Sequence, residues 1–307
     1  MIRTAFKWLY RLGLRRAHSQ VDRIRYLKRL EQGKHPLDDR FFVGRDAEQF
    51  VSGGEVAISG DYRGRQVVFV CDPRNHFERL IIRQGFQGHA VLDCMAELSP
   101  AQSLVLDVGG NAGVYCVPLA AARQDLTVHA FEPNPVVGRR LLRNLSLNSL
   151  GNLVMHTEAL ADQPGEASFY RLDDDATLSS LNRHAAEIHG APDVATVKVE
   201  TIDRLFSGDP RRVGFIKIDV QGAELRVLEG ARDTLRRHRP IVLLEHEDSH
   251  FETPELVRAQ KDSLAALLEA NGYSSFCLSR HDPRLMFPVD WSRPLHGDVL
   301  ALPQRPA

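Results

Sequence analysis

Between residues 101 and 307, apolar runs of strand length alternate with longer segments whose apolar positions recur at helical spacing. The runs predict strands at 103–108, 127–132, 152–157, 214–219, 240–245, 273–278 and 297–302. The periodic segments predict helices near 112–123, 135–148, 223–238 and 254–271. Regular alternation of this kind reads as an α/β fold on a doubly wound sheet. Pro118 falls inside the first helix and is expected to kink it or delay its start, since proline brings no N–H. Residues 161–200 interrupt the alternation, with strands expected at 166–170 and 195–200 around Asp173–Leu181. Insertions of that length often line a ligand site. Upstream, 55–59 and 66–70 read as a hairpin turning at Gly60–Gly64, and 77–84 and 89–98 read as two helices. The expected organisation is therefore a 1–34 extension, a 35–100 N-terminal cap region and a 101–307 main domain.

Composition changes this picture mainly at the N-terminus. The chain of 307 residues has a formal net charge of -1, which offers no overall basic field to nucleic acid. Residues 1–30 nevertheless carry nine Lys and Arg against Asp22 alone. Arg3, Lys7, Arg11 and Arg15 step along one side, with Ile2, Ala5, Phe6, Leu9 and Leu12 on the other. Two readings stay open: peripheral contact with an anionic membrane surface, or a helix packed on the domain with its arginines solvated. No run reaches the ~20 apolar residues of a membrane span. The four cysteines are widely spaced and imply neither a disulfide framework nor a zinc site. A cytoplasmic setting, including the inner face of a membrane, is the expectation.

Two dense motifs carry the chemistry. The first runs Leu104-Val-Leu-Asp-Val-Gly-Gly-Asn-Ala-Gly113, followed by Thr127-Val-His-Ala-Phe-Glu-Pro-Asn134. A strand ending in Asp107, a turn holding Gly109, Gly110, Asn111 and Gly113, a helix and a second strand ending in Glu132 form a mononucleotide-binding half. Glu132 is placed to accept the hydroxyls of a ribose. The glycine spacing is not the G-x-G-x-x-G of a pyrophosphate site. Asp107 repels phosphate and suits a cation, such as the amino group of S-adenosylmethionine. The second motif is Phe215-Ile-Lys-Ile-Asp-Val-Gln-Gly-Ala-Glu224, which brings Asp219 to the same sheet edge, with Lys217 as a neutraliser of a neighbouring carboxylate. Asp162, after the third strand, is placed to meet an adenine amino group. Glu245-His-Glu-Asp-Ser-His250 matches no defined zinc spacing, so no metal is expected and one histidine is a candidate base.

Taken in order, these motifs resemble those of the FkbM-type methyltransferases. Asp107–Gly113, Phe131-Glu-Pro-Asn-Pro135, Ser179-Ser-Leu181, Thr201-Ile-Asp203, Lys217–Glu224 and Val227-Leu-Glu-Gly-Ala231 carry the resemblance, which extends over roughly residues 76–302. It implies a class I methyltransferase fold, mostly parallel with one antiparallel strand near the C-terminus. It also implies S-adenosylmethionine as cofactor and O-methylation of a hydroxyl on a sugar, glycolipid or polyketide acceptor. Asp107, Gly109, Gly110, Asn111, Gly113, Glu132, Asn134 and Asp162 are then the expected cofactor residues. Asp219 is the first candidate base and His246 the second. Gly110 replaces an alanine of the family pattern, and Gln221 replaces its glutamate. A glutamine neither ionises nor takes up a proton usefully. The rival readings are a nucleotide-dependent oxidoreductase and a non-catalytic protein of the same fold docked on membrane through residues 1–30.

Overall fold

The computed structural model describes residues 55–73, 75, 78, 81–82, 85–86, 89–172, 178–278 and 286–304. The basic stretch 1–34 and residues 173–177 lie outside the described residues, so what is expected of them stays an expectation. Of the helix expected over 77–84, residues 78, 81 and 82 are described, and they are helical.

The hairpin is the first described unit: β1 (Val56–Tyr62) pairs antiparallel with β2 (Arg65–Cys71). Its turn is only Arg63-Gly64, both at positive φ, rather than the five residues expected. That is the two-residue connection whose twist suits a hairpin. Helix α1 (Ala90–Leu98) leads into the main sheet. There β3 (Leu104–Val108), α2 (Cys116–Ala122), β4 (Thr127–Phe131), α3 (Pro135–Leu147) and β5 (Leu153–His156) form the first winding. Pro118 sits in the first turn of α2, where a missing N–H leaves nothing unpaired. The insertion folds into a separate three-stranded sheet, β6 (Ala159–Leu160), β7 (Gly165–Arg171) and β8 (Asp193–Glu200), with α4 (Arg183–Glu187).

The second winding contains α5 (Ile202–Phe206), β9 (Val213–Ile218), α6 (Glu224–Glu229), α7 (Arg232–His238), β10 (Ile241–Glu247), α8 (Pro254–Ala270), β11 (Tyr273–Leu278), β12 (Met286–Pro288) and β13 (His296–Pro303). The single helix expected over 223–238 is two. Asp203 explains the break: its carboxylate accepts the Asp233 and Thr234 N–H groups at 2.9 and 2.7 Å, capping a new helix start. The eight strands lie in the order β12-β11-β13-β10-β9-β3-β4-β5. Strands β10, β9, β3, β4 and β5 are parallel, and β13 enters antiparallel between β10 and β11. The short edge strand β12 has no counterpart in the sequence reading, being three residues long and ending in proline.

Alternation along the strands divides the core. Val105, Val128, Ala130, Phe215, Leu243 and Leu300 face the side covered by the hairpin, α1 and α2. Leu104, Leu106, Ile218, Leu244 and Val299 face the side covered by α5–α8. The hairpin is tied to α3 by side-chain amides. Asn148 accepts the Val68 N–H and donates to the Val68 carbonyl, and Asn144 does the same at Val70, with N–H to Oδ1 distances of 2.8 and 2.7 Å.

The crossover that shapes the functional edge is tight. Gly109 has φ +83°, and a Cβ there would lie 1.9 Å from the Asp219 carbonyl oxygen. The Gly109→Ala substitution is expected to cost about 3 kcal/mol, from left-handed strain plus overlap with rigid backbone. Gly64→Ala, with φ +80° but no atom within 4 Å, should cost only about 1 kcal/mol. Urea denaturation of both variants checks the difference; equal losses would mean that the contact with Asp219 is without consequence.

Candidate active site

The C-terminal ends of β3, β4, β9 and β10 open onto a cavity of about 700 Å³. This is the crevice where open α/β sheets bind ligands. Gly109, Gly110 and Asn111 line it from the turn after β3, Phe131 and Glu132 from the end of β4, and Asp219 and Gln221 from the turn after β9. Glu245 and Glu247 project from β10, His250 from the 3₁₀ turn that follows, and Asp298 from β13. Phe169, Leu178 and Leu181 of the insertion and His89 and Val91 near α1 close the sides. The 161–200 insertion thus lines the cavity as expected.

Glu132 organises one part of this edge. Its Oε2 accepts the Asn111 N–H at 2.9 Å and its Oε1 the Asn134 N–H at 2.8 Å. Burial pushes its carboxyl up to about 7, against those two N–H groups. Each oxygen keeps a further lone pair for a hydroxyl. The glycine turn also hooks onto the strand itself, since the Gly109 and Gly110 N–H groups both donate to the Phe131 carbonyl.

Asp219 organises the other part. Buried Lys217, on the same strand, places Nζ 3.4 Å from Asp107 and 3.3 Å from Asp219, with its ammonium over the Tyr115 ring. Burial opposes charge on Lys217, but Asp219, Asp107 and Glu245 outweigh it and hold the ammonium above its ordinary range. Burial likewise opposes charge on Asp219, and Lys217 with the Gln221 amide outweighs it, so this carboxyl lies below its ordinary range. The turn after β9 is strained, with Gln221 at φ 54°. Ser180 holds it there, its Oγ at 3.0 Å from the Val220 carbonyl and 2.7 Å from that of Gln221. The Ser179-Ser-Leu181 motif is therefore a clamp on this turn.

Several expected site residues are placed otherwise. Asp107 does not face the cavity: it is fully buried beneath the glycine turn, where Lys217 balances it. Gly113 is required by packing, because a Cβ would meet Leu141 at 2.6 Å and Val117 at 2.7 Å. Asn134 is buried behind the wall, capping α3 through Val136 and reaching Ser179. Asp162 is also absent from the lining; it binds the Arg226 guanidinium at 2.7 Å, and Glu158 is the acid on that side. His246 points to the opposite face of β10 from Glu245 and Glu247, as strand alternation dictates, and its Nε2 meets Asp248 at 3.2 Å. Of His246 and His250, the one that lines the cavity is His250, which burial lowers to about 4 and so keeps neutral.

The sheet order β5-β4-β3-β9-β10-β13-β11, with β13 reversed, and a cleft at the carboxyl ends define a class I methyltransferase fold. Residues 107–275, more than half of the chain, match the Methyltransferase FkbM domain, and the chain belongs to that family. Curated relatives include Methyltransferase 1 of Beauveria bassiana, 27% identical over 44% of this chain and 60% of its own length. The hexuronic acid methyltransferase AglP of Haloferax volcanii is 27% identical over 48% and 57%, and the 31-O-demethyl-FK506 methyltransferase FkbM of Streptomyces tacrolimicus 25% over 67% and 84%. The match thus spans about 60% of the length of the first two. Among solved structures, a methyltransferase FkbM of Methylobacillus flagellatus is 16% identical, covering 66% of this chain and 43% of its own, with a TM-score of 0.42.

The cavity fits S-adenosylmethionine, the methyl donor that the sequence resemblance implies. Glu132 supplies hydroxyl-accepting oxygens, Phe131 and Leu160 an apolar wall, and the glycine turn room for close approach. Replacing the buried ammonium is expected to be severe. Lys217→Met should cost about 3–5 kcal/mol, because Asp107 is then left charged and buried. The Lys217→Met/Asp107→Asn double variant should recover part of that loss in chemical denaturation.

Proposed function

We propose that the chain is an S-adenosylmethionine-dependent O-methyltransferase acting on a hydroxyl of a sugar, glycolipid or polyketide-like acceptor. The observation that carries this reading is the presence in one cavity of two carboxyls with different duties. Glu132 at the end of β4 is committed to organising a turn and accepting hydroxyls; Asp219 at the end of β9 is held ionised by Lys217. Strand β3 lies between them, which sets the two ends roughly 10 Å apart. The names of two relatives, one acting on a hexuronic acid and one on 31-O-demethyl-FK506, support an acceptor of that class.

When bound, S-adenosylmethionine supplies an electrophilic methyl group on sulfur. The protein's own work is to hold the acceptor hydroxyl in line and to receive its proton. Asp219 Oδ is the proton acceptor in this reading, its charge maintained by Lys217 at 3.3 Å and by the Gln221 amide at 2.8 Å. Neutral His250 replaces His246 as the second candidate. Phe169, Leu178 and Leu181 give the cavity apolar side walls.

Calorimetric titration with S-adenosylmethionine separates the roles. Glu132→Gln should weaken donor binding by at least about tenfold, and wild-type affinity should fall as the pH drops through about 7, where Glu132 takes up its proton. Asp219→Asn should leave donor affinity within about twofold while lowering turnover by about 10²–10³. Turnover is read with methyl-labelled donor and fractionated cell extract. Survival of activity in Asp219→Asn would remove this residue as the base.

A further inference from the structure

Gln221, the departure from the family pattern, lies where it can be read together with a residue that the sequence analysis did not assign. Its Nε2 is 2.8 Å from Asp219 Oδ1 and 3.5 Å from Glu245 Oε2, so one amide nitrogen faces both carboxyls. The amide therefore brings the two carboxyls against each other, where their charges interact. Two carboxylates in such proximity do not readily ionise together, so one of them is expected to keep a proton. Asp298 stands directly across from Glu245 in the β10–β13 pairing, which adds a further acid on the same side.

We propose that Asp219, Glu245 and Gln221 form a proton-holding unit in which Glu245 carries the shared proton and Gln221 positions the pair by donating its amide hydrogens. Asp219 is thereby the ionised member at neutral pH. This assigns Glu245 and Gln221 as positioning residues, and it rests on the reading of Asp219 as the base. A glutamate at 221 would put a third carboxyl against the pair and remove the donor. The glutamine is then a fitted neutral partner rather than a lost base.

The surroundings agree with this division. Lys217 on β9 contacts Asp219, with Asp107 of β3 and Tyr115 before α2 around it. Glu247 of β10, His250 of the following turn and Asp298 of β13 line the same cavity. The charge of Asp219, then burial, then Asp298 push Glu245 up to about 9, whereas the nearby ammonium keeps Asp219 low. The pair titrates as a unit, with one proton lost early and one late.

The test is a carbon-13 NMR pH titration of the full chain labelled at the glutamate side-chain carboxyl carbon, run without donor or acceptor. One glutamate should titrate near pH 9 in the wild type, and that signal should vanish in Glu245→Gln. Companion labelling at aspartate carboxyls should show the Asp219 step moving to higher pH in Gln221→Glu. Stability gives an independent reading. Glu245, raised above its ordinary 4.5, contributes stability that is complete below about 4.5 and lost as the pH rises to about 9. The fall in melting temperature across that window should therefore be shallower in Glu245→Gln than in the wild type. A wild-type chain with every glutamate titrating below pH 8, or parallel melting profiles, overturns the proposal. An unmoved Asp219 step in Gln221→Glu removes Gln221 from the unit. Because no acceptor is present, failed methyl transfer and failed proton sharing are separate results.

Discussion

A single buried ammonium holds the functional edge together. Lys217 lies between Asp107 and Asp219, the terminal acids of two adjacent strands. Asp107, fully buried, could not keep its charge alone, since a buried carboxylate without a partner is strongly disfavoured. The arrangement couples β3 to β9 where their loops separate to form the cleft. Gly109 reinforces it sterically, with its missing side chain leaving room for the Asp219 carbonyl. The position of the glycine turn and that of the candidate base are consequently set by one contact zone.

From this zone the constraints spread by direct bonds. The Asp219 N–H donates to the Val108 carbonyl, and Ser180 grips the next two carbonyls. Ser179 accepts from Asn134, which caps α3 and is itself held by Glu132. Glu132 returns to the glycine turn through Asn111. The insertion, both loops and the start of α3 thus form a closed circuit of hydrogen bonds around the cavity. Several family-pattern residues, including Asn134, Ser179 and Ser180, spend their polar atoms on this framework.

The framework explains what the sequence could and could not reveal. The strands, the winding and the edge acids were legible because they depend on local pattern and on the rule that ligands meet strand carboxyl ends. Glu132 and Asp219 followed from that rule, and Glu245 obeys it too but was passed over beside two histidines. His246 lies on the other face of β10 from Glu245, a placement that alternation carried one residue further predicts. Asp298 could not be found the same way, as it arrives on the one reversed long strand. Asp107 and Gly113 look like ligand residues in one dimension. Only the position of Lys217, Leu141 and Val117 shows that packing and charge balance already account for them.

The amide pairs between α3 and β2 act as a vernier between two kinds of secondary structure. Four residues of helix advance about 6 Å, and two residues of strand advance about 6.6 Å. Asn144 and Asn148 can therefore meet Val70 and Val68 in step, each amide mimicking a neighbouring strand's peptide group. The outer edge of β2 is in this way occupied by side chains, which closes it to strand addition by another chain. A third asparagine one turn further would fall out of step. The hairpin is thus indexed to the helix at two teeth, and a register slip of one residue would unseat both.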